Sequence, residues 1–204
     1  MKKLLVVSIF ALFLSTTFIL VATGQTVPAK KALAILGDFW HGVAPLDIAI
    51  VGQLNKKGYV TDVIPDYDVP FDALSTYDLI VLSRYYIDDY KKLETREPDP
   101  RKYGWLTPEE EEAIEAYVLA GGSLFLHHDG IGYYPRDGAI VRLAKAYFVN
   151  HPPVVDIAVV PVGAYGGLNE NVEPFIIRDE EFRVELDPAE TNVFMESYSE
   201  ANGH

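Results

Sequence analysis

Gly121-Gly-Ser-Leu-Phe-Leu-His-His-Asp-Gly-Ile-Gly-Tyr-Tyr134 decides the reading of this chain. The two glycines end the helix that precedes them. Ser123 to His128 is an apolar run short enough for one buried strand, and it delivers His127, His128 and Asp129 into a glycine-rich bend. In an open α/β sheet, ligands bind beyond the carboxyl ends of the strands. A strand ending in three titratable side chains therefore marks where chemistry is expected.

Upstream of that stretch, Thr107-Pro-Glu-Glu110 is a strong helix start, with a threonine cap, proline next and glutamate three residues on. Ile114, Tyr117 and Val118 form its apolar stripe, and Glu109 to Glu112 read as a solvated first turn at the positive end of the helix dipole. Near the start, Lys31 to Gly37 reads as a first strand, left through the loop Asp38-Phe-Trp-His-Gly42. Pro45 suits a first helical position, and Leu46, Ile50, Val51 and Leu54 recur at helical spacing up to Lys57. Tyr59 to Ile64 is a second strand and Tyr77 to Ser83 a third, separated by an acidic, proline-containing loop. Ile87 to Trp105 is a polar excursion broken by Pro98 and Pro100.

Downstream, Asp137 to Asn150 has helical periodicity, Val154 to Val160 reads as a fifth strand, and 174–177 and 192–198 as short strands. The unbroken apolar runs are those of parallel strands covered on both faces. The expected fold class is α/β, a flavodoxin-like, doubly wound, mostly parallel sheet with helices on both faces.

The 204 residues suffice for one domain, and 49% apolar with 23% charged residues is globular composition. A formal net charge of −13 argues against nucleic acid as a partner. With no cysteine, disulfides, thiolate metal ligands and a cysteine nucleophile are all excluded. Lys2 and Lys3 precede the apolar run Leu4 to Ala22, and Ala22-Thr-Gly24 offers small residues for cleavage. Residues 1–24 are therefore expected to be a signal peptide, 25–31 a linker and 32–204 the domain. The length of the apolar run keeps an uncleaved anchor open as the alternative. Either way the domain is exported, periplasmic or secreted, with the membrane as a partner only if the segment stays attached.

The sheet edge would gather Asp38 and His41 after the first strand, Arg84 and Tyr85 after the third, and His127, His128 and Asp129 after the fourth. Histidine and carboxylate supply a general base with an orienting partner, and they are equally the cysteine-free ligands of zinc. Adjacent histidines on a strand face opposite ways. No cofactor is therefore expected, a divalent metal is the lesser alternative, and one histidine of the pair reads equally as a satisfied core residue. The Gly-x-Ser-x-Gly elbow is missing, with Ser123 at the wrong end of its strand. Gly130 to Gly132 lacks the lysine of a phosphate loop. Trp40, Tyr85 and Tyr133 lie in loops at the same edge, where aromatic rings can stack on sugars. Arg178-Asp-Glu-Glu-Phe182 reads as surface on its chemistry alone.

Several of these stretches resemble the ThuA-like family, named for trehalose utilisation and similar to the class I glutamine amidotransferase fold. The resemblance spans most of Ala32 to His204. It rests on His41 before a helix, on Gly121-Gly122 with an apolar strand ending at His128, and on Asp179-Glu-Glu-Phe182, which is similar to the family's late Asp-Glu-Leu-Tyr segment. It implies a scaffold that has lost the amidotransferase cysteine and a place in carbohydrate metabolism, with trehalose-type disaccharides or keto-sugars as the substrate class. It also implies further chain beyond Asn202-Gly-His204, and it has a small residue where this chain has Asp129. The resulting expectation is a carbohydrate cleft with His128, Asp129 and His41 as catalytic residues. Asp38, Trp40, Arg84, Tyr85, His127, Tyr133, Asp179 and Glu180 are the expected substrate contacts. If the domain is an enzyme, it is a sugar-modifying hydrolase, lyase or isomerase, not a cysteine-dependent glutaminase. A non-catalytic sugar-binding or interaction domain on the same scaffold stays open.

Overall fold

A computed structural model describes residues 29–88, 100–163, 165 and 167–202. The expected signal segment, residues 89–99 of the polar excursion and the last two residues fall outside the described residues. Among the described residues, no helix is long and apolar enough to cross a membrane.

The protein is α/β, organised around a four-stranded, all-parallel sheet. Its strands are β1 (Lys30–Leu36), β2 (Tyr59–Ile64), β3 (Leu79–Ser83) and β4 (Ser123–Leu126), in the spatial order β2-β1-β3-β4. The chain places β2 on one side of β1 and then crosses to add β3 on the other. The carboxyl ends of β1 and β3 therefore flank the point where the strand order reverses, the place at which open parallel sheets leave a crevice.

Alternation along the strands splits the core in two. Leu33, Ile35, Ile80 and Leu82 pack with Ile114 and Tyr117 of α2 (Pro108–Leu119) and Ile140 of α3 (Ala139–Ala144). Ala34, Leu36 and Val81 pack instead with Ile50 and Val51. Those two belong to α1, a continuous rod of three turns, Val43–Leu46, Asp47–Val51 and Gly52–Lys56, whose middle turn is π-wound. Every residue of β1 from Ala32 to Leu36 is fully buried, which is why this strand reads as an uninterrupted apolar run. The start of α2 is the capping box read from sequence. Thr107 Oγ1 accepts from the Glu110 amide at 3.2 Å, and Glu110 Oε2 accepts from the Thr107 amide at 2.8 Å. Such a cap contributes about 1 kcal/mol.

The rest of the chain is antiparallel. β5 (Ala146–Asn150) pairs with β8 (Arg183–Leu186), while β6 (Val155–Pro161) is flanked by β7 (Phe175–Asp179) and β9 (Met195–Tyr198). This corrects the expectation of one mostly parallel sheet. It also divides the helix expected over 137–150. Lys145 adopts a left-handed conformation (φ 53) that closes α3, and Ala146 to Asn150, rich in Tyr, Phe and Val, continues as strand. The linker boundary moves too, because Lys30 and Lys31 already pair with Tyr59 and Val60. The first turn of α2 is not wholly solvated. Glu111 is buried, and its Oε2 accepts from the Ala139 amide at 2.7 Å, joining α2 to α3.

Candidate functional site

Asp38 is the brace of the β1 exit. Its Oδ1 accepts from the backbone amides of Trp40 (2.9 Å) and His41 (3.0 Å), while Oδ2 accepts from the Tyr85 amide at 3.1 Å. One carboxylate thus shapes the loop after β1 and ties it to the turn after β3. It also sets the direction of the His41 ring, whose Nδ1 lies 3.2 Å from Asp38 Oδ1.

The end of β4 is strained. His128 has φ 46 and Tyr133 φ 61, both left-handed conformations of non-glycine residues. Each costs on the order of 1–3 kcal/mol, and such strain concentrates at functional sites. The bend packs tightly on β3, since a Cβ on Gly130 would stand 2.1 Å from the Leu82 carbonyl oxygen. Glycine is therefore required there for closeness of approach. The strand itself stops at Leu126, two residues short of the expected end, so His127 and His128 do not simply alternate across a sheet.

Asp129, 1% exposed, is the hub of the site. Its Oδ1 accepts from His128 Nδ1 at 2.9 Å, and its Oδ2 is paired with His41 Nδ1. The two imidazoles meet edge to face with ring centres 5.2 Å apart. The hydrogen bond that its ring donates to Asp129, then that to Asp38, raises His41 to about 10, so the metal-free ring is an imidazolium at neutral pH. Burial pushes His128 down, but Asp129 outweighs it and the net shift is upward. Burial likewise pushes the Asp129 carboxyl up, but the bonds from His128 and His41 hold it well below the usual carboxylate range.

Over this hub lies a cleft of about 270 Å³ lined by Trp40, His41, Tyr85, Tyr133, His151 and Glu180. The Tyr85 ring packs edge to face against Trp40 and Tyr133, with centres 5.3 Å from each. Glu180 enters just after β7. Its Oε2 lies 3.8 Å from His128 Nε2 and its Oε1 3.8 Å from His151 Nδ1. Both separations exceed hydrogen-bond range, and Oε2 is a buried atom with no hydrogen-bond partner. Phe182 floors this side, 4.3 Å from the His128 ring and stacked on His151 at 5.6 Å.

Most of the expected residues thus converge, and three do not. Arg84 is fully buried and faces away from the cleft. Nε donates to the Gly37 carbonyl at 2.6 Å, Nη2 to Leu36 (2.9 Å) and Ile64 (3.4 Å), and Nη1 to Asp66, while Tyr67 and Trp105 cover the guanidinium. It knits the strand ends together, which corrects its expected role as a substrate contact. His127 turns toward β3, with Nδ1 3.0 Å from Ser83 Oγ, and burial lowers its pKa. It is the satisfied member of the histidine pair. Asp179 is exposed on β7 and does not line the cleft; its Oδ1 accepts from the Glu180 amide at 2.9 Å. His151 and Phe182 were missed as site residues. Only a histidine before Pro152-Pro153 and the aromatic end of the Asp-Glu-Glu-Phe segment signalled them in sequence.

Among the described residues, two groups of side chains have metal-ligating atoms within 4.8 Å of one another: His41, His128 and Glu180, and Asp38, His41 and Asp129. A larger groove of about 570 Å³ beside α3 and β8 is lined by Arg136, Arg142 and Lys145. Each of these cations is already paired, with Glu185, Glu115 and Glu190 respectively. Comparisons with protein families, with curated proteins and with solved structures return no match.

Proposed function

We propose that the crevice at the ends of β1, β3 and β4 is a carbohydrate site on a doubly wound, flavodoxin-like scaffold of ThuA-like type, and that the domain is exported and acts on the sugar it binds. The observation that carries this reading is the buried carboxylate of Asp129 holding Nδ1 of two histidines, which leaves both Nε2 atoms for a ligand. Trp40 and Tyr133, partly exposed at the rim, supply faces for sugar stacking. His128 carries the proton, Asp129 fixes its tautomer, and the His41 imidazolium orients an oxygen of the substrate. Disaccharides and keto-sugars are the class suggested by the family resemblance.

The test is incubation with a disaccharide and keto-sugar panel, with products followed by mass spectrometry. His128→Ala is expected to abolish turnover while changing sugar affinity little. Sugar binding without turnover in the wild-type protein would make this a binding module. A second reading, metal-assisted instead of acid–base chemistry, is favoured by the clustering of His41, His128 and Glu180.

A further inference from the structure

We infer that the cleft holds one divalent transition ion, bound by His41 Nε2, His128 Nε2 and Glu180 Oε2, with Asp38 and Asp129 as the outer carboxylates that orient His41 and His128. The inference rests on the metal-assisted reading of the same cleft and names its ligands, its ion class and its open position.

Three independent features converge. The first is the pair of relays, Asp38 to His41 at 3.2 Å and Asp129 to His128 at 2.9 Å. A metal-ligating histidine characteristically gives its other ring N–H to a carboxylate, which fixes the ring and strengthens it as a ligand. Here each ring has its own carboxylate. The second is the orphaned Glu180 Oε2, buried without a hydrogen-bond partner and 3.8 Å from His128 Nε2. That gap is too long for a hydrogen bond, but tetrahedral ligands about 2.0 Å from a shared ion are themselves about 3.3 Å apart, so about half an ångström brings these two atoms to ligand spacing. The third is ring geometry. Two imidazoles bound to one tetrahedral ion through Nε2 have ring centres about 5 Å apart, and those of His41 and His128 are 5.2 Å apart.

The rival group, Asp38, His41 and Asp129, lacks this character. Its oxygens already accept from the Trp40, His41 and Tyr85 amides and from the imidazoles. An ion there would have to break the bonds that shape the loop. Two nitrogens and one carboxylate suit zinc(II), cobalt(II), manganese(II) or iron(II), whereas calcium and magnesium prefer oxygen alone. Three protein ligands leave a fourth position for water or a sugar oxygen, the pattern of catalytic and not structural sites. With the ion bound, the histidines are ligands, and His41 gives up its proton on binding.

The probe is cobalt(II) added to chelator-stripped protein without a polyhistidine tag, read by visible absorption and by equilibrium dialysis. One equivalent is expected to bind and give a four-coordinate absorption spectrum. Glu180→Gln, nearly isosteric and partly exposed, is expected to weaken binding at least tenfold with the protein still folded. His128→Ala should do the same, and Asp129→Asn should cost 10- to 100-fold. Failure of folded wild-type protein to bind cobalt(II) or zinc(II) would overturn the inference. Binding that is indifferent to both Glu180→Gln and His128→Ala would overturn it as well. No sugar enters this experiment. A cleft that binds metal but no carbohydrate would sink the sugar reading alone, and the reverse outcome would sink the ion alone.

Discussion

Arg84 and Asp129 are two charged side chains, each 1% exposed, at the ends of neighbouring parallel strands. Arg84 points its fork at four backbone carbonyls that cannot titrate or move away. Asp129 faces two imidazoles whose other nitrogens are left for a ligand. The first is a bolt between loops and the second a hub for chemistry. What separates them is the nature of their partners, since burial and position in the sheet are alike.

The largest expected effect comes from removing the bolt. Arg84→Ala leaves the carbonyls of Leu36, Gly37, Ile64 and Asp66 without this donor. At about 1–3 kcal/mol for each buried group left unsatisfied, it is expected to destabilise the fold by at least about 4 kcal/mol in urea unfolding. A mild loss of stability with a selective loss of ligand binding would reverse the assignment and return Arg84 to the site.

Asp129→Asn should cost about 2 kcal/mol near neutral pH, because it removes one of the two carboxylates that hold the half-buried His41 imidazolium and leaves only Asp38. The pH dependence has a definite sign. His41 is raised to about 10, so in metal-free protein its pairing stabilises fully below the unfolded value of 6.5 and is lost as pH rises through about 10. Asp129 is depressed, so its contribution is present above 3.8 and is lost as pH falls below that. The gap between wild type and variant should therefore be widest between about pH 4 and 6.5 and shrink on either side. A gap independent of pH would mean that the hub is not ionic.

Glu111 sharpens the comparison from outside the site. It is also a buried acid, but burial raises its carboxyl, because backbone amides and distant arginines only partly offset desolvation. Its sign is opposite to that of Asp129: ionising Glu111 destabilises the fold as pH rises above 4.5. Glu111→Gln, which still accepts from the Ala139 amide, should gain on wild type with rising pH, by no more than about 1 kcal/mol. The smallest expected effect on stability is that of Trp40→Ala, within about 0.5 kcal/mol for a ring nearly half exposed. Its sugar affinity should nevertheless fall about tenfold, which equals about 1.4 kcal/mol.

The parallel half of the fold was legible because its central strands, β1 and β3, are largely buried apolar runs between clear stops. Thr107-Pro-Glu-Glu110 and Gly121-Gly122 mark one helix from cap to end. The antiparallel half was less legible. Tyr147 fits the helical stripe of Ile140, Leu143 and Ala144 as well as it fits a strand, and the left-handed Lys145 that decides between them carries no sequence signal. At the site, strand-end position found His41, His128, Asp129 and the aromatic rim. Orientation was beyond it. Arg84 sits where a substrate contact belongs but turns inward, and His127 lies beside His128 yet turns to Ser83. His151 and Phe182 arrive from the antiparallel half, so they stayed hidden as long as that half was misread.

The central claim is that the Asp129-held histidines form a sugar site, and thermal unfolding against disaccharides, keto-sugars and an inert polyol control tests it most directly. A sugar at a hundred times its dissociation constant adds about 2.7 kcal/mol of stability. The account predicts a sugar-specific rise in Tm for wild type that Trp40→Ala weakens and Glu180→Gln alters. No rise with any sugar in folded protein, or a rise unchanged in both variants, would contradict it.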